Sequence, residues 1–346
     1  MQSKILLLSI FFLVILKASS QSCFPNGLFL SVQSQVDQFA SQNPGCKIIE
    51  GGLNVNGADI THLDGLSQLT EIKGDVYLTN CDSLRNINGL QNITEIGGAI
   101  RLQGLPSLTS INFSKLEKST GDFFYISSNP LVSSIQLNVL DSVYGIFQIW
   151  SMDTITDLNG LNKLSYVGKD FAIFKNRNMM NINGLTTLTH IADGLRLYEN
   201  TVLQDVSGLP ATLKIAGPLV INDNPKLAIC NTAAICAYLE NPSSFVVISD
   251  NDDGCNNIPE VEIACISSTE NEDIDSAIHV YPNPANDYII IENPVEINST
   301  LNIRDISGRV IIHQANTNEA IDIQHLSPGM YILETRTNKM KFIVER

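Results

Sequence analysis

An apolar residue recurs at Ile60, Leu84, Leu108, Val132, Ile155, Met179, Leu203 and Leu227, at steps of 24 residues with a single step of 23. A fixed period of that length marks stacked supersecondary units, none of which can bury its apolar side alone. Three residues after each beat comes another core position: Leu63, Ile87, Ile111, Ile135, Leu158, Ile182, Val206 and Cys230. Gly-Leu follows in five copies, at Gly65-Leu66, Gly89-Leu90, Gly160-Leu161, Gly184-Leu185 and Gly208-Leu209. Ahead of the beats run apolar-x-apolar triplets such as Val76-Tyr77-Leu78, Phe124-Tyr125-Ile126 and Leu195-Arg196-Leu197. No ten-residue helical pattern lies between these short strand-like runs, so the spacing predicts a parallel single-stranded β-helix, a leucine-rich-repeat-like solenoid of 24-residue turns over residues 53–229. Seven or eight rungs would stack into a rod of roughly 35 Å.

A further column lies three residues before each beat: Cys81, Leu105, Asn129, Met152, Asn176, Asn200 and Asn224. An asparagine there can bond turn backbone from inside the coil, and a cysteine can substitute for it. Cys81 therefore reads as a buried ladder member rather than a reactive thiol.

The ends of the repeat need covers, because a solenoid's terminal turns expose its core. Over residues 21–52, Val32, Val36 and Phe39 fall at helical spacing, with Ser31 available as N-cap and Asn43-Pro44-Gly45 as the stop. Cys23 and Cys46 bracket that helix and would staple it in an oxidising compartment. Over residues 230–266, Asn231-Thr232 and Asn257-Ile258-Pro259 each can start a short helix. Cys230, Cys236, Cys255 and Cys265 allow three connectivities there, of which Cys230–Cys255 with Cys236–Cys265 is preferred. The run Asp250-Asn251-Asp252-Asp253-Gly254 lacks calcium-loop spacing and reads as a solvated turn.

Lys4, the apolar run 5–16 and Ala18-Ser19-Ser20 form a secretory signal peptide over residues 1–20, too short to span a bilayer. No later stretch qualifies as a transmembrane span. The formal charge is −15, and residues 21–277 hold 13 basic against 28 acidic side chains. Such a surface repels phosphate backbones and anionic membranes, which excludes nucleic acid as a partner.

Residues 267–277 are polar, acidic and free of aromatics, and read as a linker. Over residues 278–346, seven short alternating runs are punctuated by Asn283-Pro284, Ser307-Gly308 and Ser327-Pro328-Gly329, which suggests a small antiparallel β-sandwich.

The 24-residue motif, the N-terminal helix with its cysteine pair and the cysteine-rich ending resemble receptor L-domain or leucine-rich-repeat-like proteins secreted by bacteria that use type IX secretion. That likeness covers about residues 23–265 and weakens over 106–150, where Phe113 and Leu137 replace Gly-Leu and Met152 replaces Asn. The C-terminal segment resembles the type A sorting domain of type IX secretion through Tyr281-Pro282-Asn283-Pro284, Asp305-Ile306-Ser307-Gly308-Arg309, Leu326-Ser327-Pro328-Gly329-Met330-Tyr331 and the closing run Lys339–Val344 that contains Lys341. This implies the type IX machinery and its sortase as partners, export to the outer-membrane surface or the medium, and removal of the domain within the linker.

No catalytic constellation, metal site or cofactor motif stands out, and the five histidines are scattered. Asp75 and Asp170 share a column but lie four rungs apart, about 19 Å, too far for a glycosidase pair. The outward column positions are more informative. Tyr77, Arg101 and Tyr125 with Arg196 fall in one column, and Trp150, Phe174 and Tyr198 in the next, a composition suited to a sugar ring or protein loop. Stacked aromatics can equally serve only to stabilise a parallel sheet. The sequence thus leads to a non-enzymatic, secreted or cell-surface recognition or adhesion protein with a glycan or protein ligand. The alternatives are a carbohydrate-active β-helix enzyme and a structural surface protein without a specific ligand.

Overall fold

A computed structural model describes residues 21–269, 279–292, 301–314, 320–334 and 339–346. The signal peptide and most of the linker lie outside the described residues. The chain is mainly β, with a parallel solenoid and a C-terminal antiparallel unit.

Each solenoid turn contributes one strand to each of two parallel sheets. The first, the long sheet, has ten strands: Leu28–Leu30, Leu53–Val55, Val76–Thr79, Ile100–Gln103, Phe123–Ser127, Ile146–Trp150, Phe171–Phe174, Leu195–Tyr198, Leu219–Asn222 and Val246–Ser249. The second has nine shorter strands, from Gln21–Cys23 to Lys214–Ile215. Ten strands at about 4.8 Å give a stack of about 43 Å, longer than the 35 Å expected. The reason is that both cap segments pair into the stack: Leu28–Leu30 lies before residue 53 and Val246–Ser249 after residue 229.

Strict in-register pairing sends alternate side chains to one common core. Val76, Leu78, Ile100, Leu102, Phe124, Ile126, Phe147, Ile149, Phe171 and Ile173 are fully buried with the beat residues Ile60 to Leu227. At four of the five Gly-Leu corners the chain takes a single 3-10 turn, as at Asn88–Leu90 and Asn183–Leu185. Glycine is required because the turn lies against the rung before it: a Cβ on Gly89 would sit 1.7 Å from the Leu63 carbonyl oxygen. In the two rungs where Phe113 and Leu137 replace Gly-Leu, the corner straightens instead, and Ser110–Asn112 pairs in parallel with Ser134–Gln136.

The corner after the long strand is built differently. Asn80, Ser128, Ser151, Lys175, Glu199, Asp223 and Asp250 all adopt φ of 54–57°, a left-handed conformation that costs on the order of 1 kcal/mol for a residue with a side chain. The turn points the next residue inward. Asn129, Asn176, Asn200 and Asn224 are fully buried there. Asn200 accepts from the Asn176 amide (3.1 Å) and donates to the Ile173 carbonyl (3.0 Å); Asn176 and Asn224 repeat this one rung to either side. Cys81 is buried in the same column, its Sγ 3.3 Å from the Thr79 carbonyl, and burial pushes its thiol pKa up. Asn251 is a further rung of this ladder, accepting from Asn224 N (3.1 Å) and donating to Ile221 O (2.9 Å). The 250–254 stretch is therefore a turn whose Asp250 and Asp253 are exposed, as expected, while Asn251 points inward and orders it. Glu260 accepts from the amides of Gly254 and Asn256 and fixes its far side.

Helix α1 (Gln33–Gln42) buries Val36 and Phe39 over the first turn. Ser31 does not cap it; the Gln35 side chain reaches back to accept from the amides of Ser31 (2.7 Å) and Val32 (3.3 Å), and Val32 is left outside the packed face. Helix α2 (Ala233–Glu240) is capped by Thr232, which accepts from Ile235 N. Helix α3 (Ile258–Thr269) starts at Asn257, which accepts from Glu260 N, and runs past Cys265 into what reads as linker sequence. Disulfides join Cys23–Cys46, Cys230–Cys255 and Cys236–Cys265.

The C-terminal unit has a three-stranded sheet (His279–Tyr281, Tyr288–Glu292, Ile321–Asp322) and a four-stranded sheet (Leu301–Asp305, Val310–Gln314, Gly329–Glu334, Lys339–Val344), all antiparallel, around Ile289, Leu301, Ile303, Leu333 and Phe342.

Candidate ligand-binding face

The long sheet places its outward columns on one surface, and pairing fixes their order. Tyr77, Arg101, Tyr125, Gln148, Ala172, Arg196 and Val220 follow one another directly across the rungs. Trp150, Phe174 and Tyr198 do the same in the next column. All seven aromatic and arginine side chains that the sequence singles out, Tyr77, Arg101, Tyr125, Trp150, Phe174, Arg196 and Tyr198, are partly exposed, whereas Ser127 in the outward column is wholly covered.

The rings form two groups. Trp150, Phe174 and Tyr198 stack face to face, with centroids 5.4 and 4.6 Å apart and planes within 5° and 10°. Their faces are thus largely spent on one another, and they present a ridge of edges to solvent. Tyr125 meets Trp150 edge-on at 5.5 Å and joins this ridge to the second group. There Phe123 stacks on Tyr125 at 4.2 Å and lies 6.4 Å from Tyr77. The Arg101 guanidinium carbon sits 5.7, 5.3 and 5.9 Å from the Tyr77, Phe123 and Tyr125 ring centres. Phe123, in the column before the middle one, completes this cage, and its role follows from the register rather than from the triplet alone.

The two arginines of the middle column differ in their partners. Asp170 accepts from Gly194 N (3.0 Å) and from Arg196 Nε (3.2 Å), a half-buried ion pair. Asp75 holds the equivalent position and accepts from Ala99 N (2.8 Å), but its other oxygen accepts from the Tyr77 hydroxyl (2.8 Å) rather than from Arg101. Burial, with the Asp75 hydrogen bond second, raises the Tyr77 pKa; burial also raises that of Tyr198, with Glu199 adding to it. Both aspartates are therefore spent on local bonds, four rungs apart.

Around the left-handed corner from the ridge runs a groove of about 610 Å³, lined by Ser151, Asp153, Lys175, Arg177, Glu199, Thr201, Asp223, Pro225 and Asp250. Sequence reading missed it, although its lining residues are the ones that flank the asparagine column on either side. Lys175 pairs with Glu199 (3.6 Å) and Arg177 with Asp153 (3.9 Å) across its rungs. Among the described residues, no three His, Cys, Asp or Glu side chains converge as a metal ion needs. His62 lies near Asp37 and Asp64, and His190 contacts Thr189 on the surface.

In the C-terminal unit the motif residues shape turns. Asn283 Oδ1 accepts from Ile343 N (2.9 Å) and Ala285 bridges Val344, so the Tyr281-Pro282-Asn283-Pro284 segment clips the last strand. Asp305 accepts from the amides of Ser307 and Arg309 across a turn that Gly308 closes at φ 79°, and the Ser307 hydrogen bond lowers the Asp305 pKa. Tyr331 donates to Ser327 O (2.9 Å), Gly329 pairs with Val344, and Lys341 is exposed opposite Ile332.

Comparison with known proteins bears on both units. A search of curated proteins gives no match. Among the described residues no helix is long and apolar enough to cross a membrane. Residues 25–139 match the family model of the leucine-rich-repeat domain of the endo-β-N-acetylglucosaminidase EndoS. Residues 279–345 match the secretion system C-terminal sorting domain, so the chain carries a type IX sorting domain behind a leucine-rich-repeat solenoid, and its destination is the cell surface or the exterior.

Proposed function

We propose that this is a non-enzymatic recognition or adhesion protein that binds a glycan through the outward face of the long sheet. The observation that carries the reading is the contiguous surface from Tyr77 through Arg101, Phe123 and Tyr125 to Trp150, Phe174 and Tyr198, in which polar and aromatic side chains adjoin on a rigid sheet. Rigid, amphipathic rings supply contact area at low entropic cost. The family model over residues 25–139 is named for a glycan-cleaving enzyme's repeat domain, and that stretch includes Tyr77, Arg101, Phe123 and Tyr125. Binding without turnover is consistent with the spacing and local commitments of Asp75 and Asp170. The test is Trp150→Ala combined with Tyr198→Ala, assayed on a glycan array and for cell adhesion. Binding should fall at least tenfold, and unchanged binding would remove the face.

A structural role without a ligand has one observation in its favour, the face-to-face stack of Trp150, Phe174 and Tyr198. It predicts that the double variant loses stability but no adhesion. For export, the sorting domain hands the chain to the type IX machinery, and its sortase removes the domain within residues 267–277 before release or attachment to surface lipopolysaccharide. A chain lacking residues 278–346 should stay in the periplasm, and its appearance in the medium would refute the assignment.

A further inference from the structure

The two arginines of the middle column occupy equivalent settings, yet one is neutralised and the other is not. Arg196 is paired by Asp170, one rung back. Arg101 has Asp75 in the same relation, but the Tyr77 hydroxyl takes the free oxygen of that carboxylate. At the position matching Tyr77, the Asp170 rung has Ala172, which has no hydroxyl to compete. Arg101 therefore makes no ion pair among the described residues. Its Nε is buried without a partner, and its terminal Nη donors make no hydrogen bond among the described residues, on a side chain that is partly exposed. The guanidinium carbon lies within cation-π range of three rings, 5.3–5.9 Å from their centres. A planar fork framed by aromatic rings, with its outer donors unpaired, suits one oxyanion.

The surroundings define the rest of the ligand. Residues 21–277 carry a net charge of −15, Asp75 is adjacent, and the other arginine of the column is already paired. A polyanion would be strongly repelled, whereas a ligand with a single negative group and an otherwise neutral body would be repelled far less. Gln103 and Gln148 lie partly exposed beside the cage and offer amides to hydroxyl groups. Resting on the recognition reading above, we infer that Arg101, framed by Tyr77, Phe123 and Tyr125, anchors the anionic substituent of an acidic saccharide, a uronate- or sialate-type carboxylate or a single sulfate ester, through its two Nη donors.

The test uses the full chain and three immobilised oligosaccharide probes that differ only in the terminal sugar: glucuronate-terminated, the same carboxyl-reduced to the neutral alcohol, and mono-sulfated. The native chain should bind an acidic probe at least tenfold more tightly than the neutral one. Arg101→Gln should abolish that preference, Arg101→Lys should restore only part of it, and Arg85→Gln, on a remote turn, should leave it intact. Thermal melting of each variant checks that the solenoid is folded. The ratio between the carboxylate and sulfate probes identifies the source of the anion. Equal binding of acidic and neutral probes, or a preference that survives Arg101→Gln, overturns this inference and leaves the glycan reading standing. Binding of no saccharide at all overturns both.

Discussion

Asp75, Tyr77 and Arg101 at one end of the sheet and Asp170, Ala172 and Arg196 four rungs on are the same construction with a single functional difference. In both, an aspartate before the strand caps the next rung's backbone amide, at 2.8 and 3.0 Å, and an arginine follows one rung later in the middle column. With alanine between them the charges meet; with tyrosine the carboxylate is diverted and the arginine is left to the rings. A repeat thus lets one side chain decide whether a rung is closed or available. The lesson extends to the ridge: where rings occupy consecutive rungs of one column, as Trp150, Phe174 and Tyr198 do, they satisfy each other. Where rings and a cation are mixed across columns, donors remain unspent.

The largest effect should come from breaking what both sites share. Asn200→Ala removes an acceptor for Asn176 N and a donor to Ile173 O deep in the core, and should cost about 3–5 kcal/mol for the buried groups left unpaired, read as a lower urea midpoint. Loss of less than about 1 kcal/mol would mean that the ladder is not what holds the corners.

Tyr77→Phe keeps the ring and deletes the diverting hydroxyl. Asp75 should then turn to Arg101, and binding of a glucuronate-terminated probe should weaken by about tenfold, or about 1.4 kcal/mol. Unchanged calorimetric affinity would show that the hydroxyl does not control the arginine. The converse, Asp170→Asn, retains an acceptor for Gly194 N but frees Arg196. It should raise affinity for the same probe by roughly threefold, a gain within what exposed or half-buried charge pairs contribute.

The smallest effect is in the pH dependence. The folded pKa of Tyr77 is raised above the ordinary 10.0 by burial and by the Asp75 bond. Its contribution is therefore fully present below pH 10 and is lost as pH rises through the folded value. Melting temperature measured from about pH 9 to pH 11 should fall more steeply in the native chain than in Tyr77→Phe; parallel curves would dismiss the coupling.

Much of this architecture is legible in the sequence because periodicity is a strong signal: the beat, the ladder column at Asn129, Asn176, Asn200 and Asn224, and the outward columns all follow from counting. What escapes counting has physical causes. Asn251 lies 27 residues after Asn224, off the beat and inside an acidic run, so its ladder role shows only once Val246–Ser249 is seen to add a rung. The α1 cap comes from Gln35 reaching backward, an option that residue type alone does not rank above Ser31. The ring orientations, and the choice of Asp75 between Tyr77 and Arg101, depend on hydrogen-bond geometry between rungs, which register implies but does not determine.

The central claim is that Arg101 is the available cation of this face and Arg196 is not. The most direct measurement is the dissociation constant of a glucuronate-terminated oligosaccharide for the native chain, Arg101→Gln and Arg196→Gln at low ionic strength. The account predicts a loss at least fivefold larger at Arg101 than at Arg196, a difference of about 1 kcal/mol. Equal losses, or a larger loss at Arg196, would contradict it.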